Sequence, residues 1–275
     1  MKKRLIAGVL LAALASFSVQ AQDTSSPNSA SAGSSNYGGW SGSGEFGFAS
    51  STGNSRSQNL NAKLGLKKEN DLWKNNFFLD VLRSKNGQNV VDAAGNTVEK
   101  LTTTANRYSA GASVGLKLDP RSYIVGAARY DHDDFGANLW QGTVSLGYGY
   151  IALKDDRNEL SFEIGPGFKR YRPADTTTLI NNVPVRRSQT IQSEPVARGL
   201  VNYRFKITDN TSFENTFLME AGSKNTYLQN DAGLSVSITR KLALKVAFEV
   251  RYNSTVLAGI KNTDTLTTTN LVYSF

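Results

Sequence analysis

The 275 residues include no cysteine, which excludes disulfide frameworks, zinc–thiolate sites and thiol nucleophiles. Hydrophobic residues make up 39% of the chain, and no apolar run approaches the roughly 20 residues that a membrane-spanning helix requires. The formal charge of +8 is partly a property of the start: taking Lys2, Lys3 and Arg4 from 31 basic residues leaves 28 against 23 acidic ones, or +5.

The chain opens with Lys2, Lys3 and Arg4, an apolar run from Leu5 to about Ala15, and small residues up to Val19-Gln20-Ala21. This pattern reads as a signal peptide over residues 1–21, cut after Ala21, and implies bacterial export to the cell outer membrane. Residues 22–38 (QDTSSPNSASAGSSNYG) are Ser-rich and almost free of large apolar groups, the composition of a disordered linker.

Residues 39–275 alternate apolar and polar groups at period two, in segments of roughly ten to fifteen residues. Gly39 to Ser50 sets Trp40, Gly42, Gly44, Phe46 and Phe48 against Ser41, Ser43, Glu45 and Gly47, and a turn follows at 51–55. Further segments carry Leu60 to Leu66, Trp73 to Val81, Tyr108 to Leu116, Trp140 to Tyr150, Leu160 to Phe168, Val201 to Ile207, Phe213 to Met219, Leu228 to Ile238 and Leu242 to Tyr252. The segment from Tyr123 to about Asp131 alternates less cleanly, with apolar groups on both faces. Thr265 to Phe275 (TLTTTNLVYSF) comes last, with Tyr273 and Phe275 on one face.

About twelve strands result, joined by connections that are tight on one side and longer on the other. The stretches Arg83 to Leu101 and Pro173 to Thr190 are the two large loops of this scheme. The predicted fold is all-β, a closed antiparallel transmembrane β-barrel of about 12 strands. Thr265 to Phe275 pairs with Gly39 to Ser50 to close it, because an unpaired aromatic-ended edge is untenable. Tyr273 and Phe275 read as the signal by which barrel assembly machinery recognises the chain.

The apolar face holds Trp40, Trp73, Trp140 and many Tyr and Phe near strand ends, the distribution of interfacial aromatic girdles. The opposite face holds Glu45, Lys63, Lys74, Arg107, Arg129, Glu163, Arg198, Arg204, Glu220, Lys245, Glu249 and Arg251. A charge in hydrocarbon costs several kcal/mol, so these residues are assigned to the lumen. A soluble barrel with an apolar calyx is the inverse arrangement, and it commonly needs only about eight strands. Opposite charges either pair across the lumen and plug it or leave a narrow polar pore.

His132 is the sole histidine, in Arg129-Tyr130-Asp131-His132-Asp133-Asp134-Phe135 at the outer end of a strand. A rim histidine beside a serine, or calcium held by carboxylates, is the chemistry of a lipid acyl hydrolase. No serine stands in a nucleophile setting and no D-x-D-x-D-G spacing occurs, so no enzyme activity, metal or cofactor is assigned. The basic residues are spread along alternating strands, which gives no footprint for nucleic acid. Arg186 and Arg187 fall in the second large loop, within reach of lipid phosphates.

Trp40-Ser41-Gly42-Ser43-Gly44, Thr52-Gly53-Asn54-Ser55, Tyr130 to Phe135, Leu146-Gly147-Tyr148-Gly149-Tyr150 and Glu163-Ile164-Gly165-Pro166-Gly167-Phe168 together resemble the YdiY-like family of salt-induced outer-membrane proteins. The resemblance spans residues 39–275 and implies an outer-membrane barrel of unknown function; Asp133 and Phe135 belong to its pattern and His132 does not. The expected role is a narrow pore for small solutes or ions, or envelope maintenance under osmotic or salt stress. Alternatives are an acyl hydrolase at the outer rim and a structural or surface-recognition barrel. Expected partners are outer-membrane lipid, lipopolysaccharide and the assembly machinery, with no nucleic acid.

Overall fold

The computed structural model describes residues 39–51, 56–91, 95–180, 183–257 and 261–275, with side chains left aside over 177–184. The expected signal peptide (1–21), the linker (22–38) and turn residues 52–55 lie outside the described residues. Fourteen strands form: β1 (Trp40–Ser51), β2 (Ser57–Glu69), β3 (Trp73–Val91), β4 (Thr97–Lys117), β5 (Ser122–Asp133), β6 (Asn138–Lys154), β7 (Asn158–Pro173), β8 (Thr176–Ile180), β9 (Val183–Arg187), β10 (Gln192–Lys206), β11 (Thr211–Gly222), β12 (Thr226–Ser237), β13 (Leu242–Asn253) and β14 (Thr263–Ser274).

Twelve of these close into a barrel in the order β1-β14-β13-β12-β11-β10-β7-β6-β5-β4-β3-β2, and β8 and β9 pair separately. The start of β1 and the end of β14 lie at one end with the short connections 70–72, 118–121, 155–157, 207–210 and 238–241. Asx-type turns tighten three of them: Asn70 accepts from the amides of Leu72 and Trp73, Asp119 from those of Arg121 and Ser122, and Asp155 from those of Arg157 and Asn158. Those amides, Arg121 first for Asp119 and Arg157 first for Asp155, hold both carboxyls below the usual carboxylate range.

The two large loops are corrected. Residues 83–101 are mostly strand: β3 and β4 stay paired from Trp73↔Leu116 out to Val91↔Thr97, a ribbon that outruns β2, whose last pair is Ser57↔Asn86. Gly95, at φ 86°, supplies the left-handed turn residue at its tip. The stretch 173–190 carries the β8–β9 hairpin. Both escaped the period-two reading because a ribbon beyond the barrel has water on both faces and no apolar alternation to display.

The barrel is inside out relative to a soluble one. Ile164 is 70% and Leu146 61% exposed on the outer face, whereas Lys169, pointing inward from the same wall, is 0% exposed. An apolar exterior of this extent is stable against hydrocarbon, and the backbone polar groups that hydrocarbon would punish are paired around the ring. Aromatic groups cluster at both ends: Tyr108, Tyr130 and Trp140 lie side by side at the long-loop end, and Tyr203, Phe205, Phe213, Tyr273 and Phe275 at the short-turn end.

The irregular β5 has a specific cause. Tyr123 and Val125 turn inward with Ile151 as a small apolar cluster, while Ile124 faces out. Tyr123 is kept inside by its phenol, which donates to Glu163 at 3.0 Å.

Candidate functional site: the barrel lumen

All twelve charged residues that the alternation assigns to one face point into the lumen, but they do two different things there. In the half nearer the long loops they form a buried layer that crosses the barrel. Arg107 on β4 donates to Glu249 on β13 at 2.7 Å, although the two strands lie five apart around the ring. Arg251 shares that carboxylate at 2.7 Å. Arg129 on β5 reaches Gln229 on β12, also five strands away, at 2.5 Å and holds Asp131 through two 2.8 Å bonds. Lys169 and Thr143 both meet Glu220, at 3.5 and 3.1 Å.

Arg107, Asp131, Glu220, Glu249 and Arg251 are all buried. Desolvating so many charges is costly, and only mutual pairing offsets it, so the layer holds as a unit. It closes the lumen at this depth.

Below it, toward the short turns, the lumen widens into a vestibule of about 1160 Å³, to which Glu45, Lys63, Lys74, Arg198, Arg204 and Lys245 contribute. Most ion pairs here join neighbouring walls. Arg198 meets Glu163 at 3.1 Å, Arg204 meets Glu159 at 3.3 Å, and Lys63 meets Asp80 at 3.2 Å. Lys245 bridges Glu45, at 2.7 Å, and Glu214. Asn270, wholly buried, ties the closing strands together by accepting from Asn61 at 2.5 Å and donating to Glu45 at 3.1 Å. Lys74 lies 4.9 Å from the ring centre of Tyr123.

His132 sits on the outer, bilayer-facing surface at the long-loop end. Its ring stacks on Tyr108 at 4.7 Å and its Nε2 lies 2.9 Å from Asp134 Oδ1. The Asn106 amide, donating at 2.6 Å, holds the Asp134 carboxyl below its ordinary range, with His132 adding to the effect. The run of acidic residues is split by the pleat: Asp131 turns into the lumen, while Asp133 accepts from the amide of Phe135 in a turn. Among the described residues no three His, Asp or Glu converge as metal donors.

Aromatic members of the lumen, among them Phe78, Tyr123, Tyr171 and Tyr227, escaped the reading of the sequence. Tyr227 donates to Gln229 at 2.8 Å and lies 5.1 Å from the Lys169 ammonium. Parity was the signal available, since Tyr227, Gln229 and Asp231 share one face of β12. The habit of placing aromatic groups on the lipid side overrode it.

A twelve-stranded barrel with an apolar outside and an ion-paired inside defines a transmembrane β-barrel. The chain belongs to the family described as "Protein of unknown function, DUF481", which it matches over residues 44–275. It is 26% identical to "Uncharacterized protein YdiY" of Escherichia coli (strain K12) over 182 residues, 66% of this chain and 67% of that protein. Similar solved structures include the COG4313 outer membrane channel from Pseudomonas putida F1, at a TM-score of 0.47 and 10% identity, covering 90% of this chain and 99% of the other. The translocator domain of autotransporter NalP from Neisseria meningitidis gives 0.45 and 12%, covering 86% and 87%. The NanC porin gives 0.40 and 13%, covering 86% and 98%.

Proposed function

We propose that the protein is an outer-membrane barrel forming a narrow, normally closed pore for small solutes or ions, with its short turns in the periplasm and its long ribbon outside the cell. One observation carries this reading: the lumen is sealed at a single depth, by side chains that bond across it, above a water-accessible vestibule. A barrel built only for support gains nothing from an open half, and a seal made of side chains opens by rotamer change without breaking a strand. Passive passage under osmotic or salt stress is the role that fits such a pore. The export pattern of residues 1–21 and the two aromatic belts support the outer membrane as its location.

Tyr273 and Phe275 are proposed as the segment read by the assembly machinery, and Arg186 and Arg187 as contacts for lipopolysaccharide phosphates. The protein is read as no enzyme, because the partners of His132 are Tyr108 and Asp134 and neither is a nucleophile set up for ester attack.

The test is single-channel recording of refolded protein in planar bilayers. Brief, infrequent openings are expected for the natural sequence, and longer or larger ones for Arg107→Ala, which removes a bond across the lumen. Electrical silence of both proteins at every voltage would sink the pore.

A further inference from the structure

Lys67 of β2 and Arg204 of β10 come from opposite walls, six strands apart in a ring of twelve, yet both line one side pocket of about 90 Å³ off the vestibule. At ~10–15 Å³ of such volume per water, this is room for several waters or for one anionic group. Ser41, Ser43 and Ser235 add hydroxyls, and Glu45 and Glu214, both neutralised by Lys245 between them, complete its polar lining.

The donors here are not fully used. Lys67 has no ion-pair partner among the described residues, and its charged surroundings include Arg204 and Lys74 as well as Glu159 and Glu214. Those two carboxylates are already engaged, Glu159 with Arg204 and Glu214 with Lys245. The Arg204 Nε is buried with no hydrogen-bond partner among the described residues. A buried guanidinium donor left unmet is costly, and two cations facing each other across a lumen repel.

The vestibule as a whole sharpens the bias: twelve basic side chains line it against eight acidic ones. Low-dielectric walls focus such an excess and concentrate counter-ions.

We propose that the vestibule is a binding site for a small anionic solute, whose carboxylate or phosphate oxygens lie between Lys67 and Arg204 in the side pocket while the rest of the solute occupies the wider cavity. Lys67 Nζ and the Arg204 guanidinium flank those oxygens, and the serine hydroxyls add donors to the cradle. The site opens at the short-turn end, so the solute reaches it from that side.

Isothermal titration calorimetry on the full chain, folded in detergent micelles in an anion-poor buffer, tests this with citrate, inorganic phosphate and sucrose as probes. Saturable one-to-one binding of citrate or phosphate is expected, with none of sucrose. Lys67→Gln and Arg204→Gln each weaken it about tenfold or more, as expected on losing a desolvated charge contact, while Lys100→Gln in the distant β3–β4 ribbon leaves it unchanged. Tighter citrate identifies an organic polyanion and tighter phosphate an inorganic or phosphorylated one, and either supports the site. Failure of both anions to bind, or binding indifferent to Lys67→Gln, overturns it. Lys67 makes no ion pair among the described residues, so its variant remains a fair test if Arg204→Gln does not fold. The vestibule site and the pore fail separately: conductance without anion binding removes the site alone, and binding without current removes the pore alone.

Discussion

Glu249 holds two guanidinium groups, Arg107 from across the lumen and Arg251 beside it, in a part of the barrel almost closed to water. Removing the carboxylate leaves two buried cations without their shared counter-charge. Glu249→Ala is therefore expected to destabilise the folded barrel by about 3–5 kcal/mol, the cost of breaking a buried pair from one side. Reversible urea unfolding in lipid vesicles measures this; a loss under about 1 kcal/mol, the range of exposed pairs, would show that water already fills the layer. His132 differs in kind. Half-buried on the outer surface and stacked on Tyr108, it behaves as one more member of the aromatic belt.

Among the elements, the seam between β1 and β14 is the weak one. Only four paired positions, Ser43↔Ser274 to Phe46↔Leu271, join these strands, against twelve between β1 and β2. Below them Gly42 and Phe275 exchange two backbone bonds, at 2.9 and 3.0 Å. Gly42 has no room for a side chain, because a Cβ there would stand 2.8 Å from the Gly65 carbonyl oxygen, from Leu66 and from the Phe275 ring. Gly42→Val is expected to cost about 1–3 kcal/mol through overpacking and to lower the folded fraction seen by heat-modifiable gel mobility. A variant folding as well as the natural sequence would mean that the seam tolerates separation.

The elements also show what alternation reveals. Leu242 to Tyr252 was legible because lipid on one side and water on the other impose opposite chemistry on alternate residues. The outer ends of β3 and β4 were not, because water on both sides imposes none. The pairing there is inherited from the barrel wall, through register that runs unbroken from Trp73 to Ser84 and continues, after one irregularity, to Val91.

At the scale of the whole molecule, closure is what makes the chain compatible with a bilayer, since an open edge would expose unpaired backbone groups to hydrocarbon. Deleting Phe275 removes the last bonds of the seam. Severalfold less folded protein in outer-membrane fractions is expected, while any activity of the barrels that do form is impaired less. Normal outer-membrane levels of the shortened chain would contradict this. The two halves of the lumen likewise belong to the whole molecule, because twelve of the fourteen strands build the ring and the sealing bonds join strands far apart in it.

The sequence by itself determined that there are about twelve barrel strands, their antiparallel order and which charged side chains face inward. These follow from local periodicity and from the cost of putting charge into lipid. Only the tertiary structure decided that the inward charges divide into a sealed layer and an open vestibule. Arg107 and Glu249 are 142 residues apart, and Lys67 and Arg204 come from opposite walls. Whether such groups meet depends on the depth and stagger of strands around a closed ring, which no stretch of alternating residues encodes.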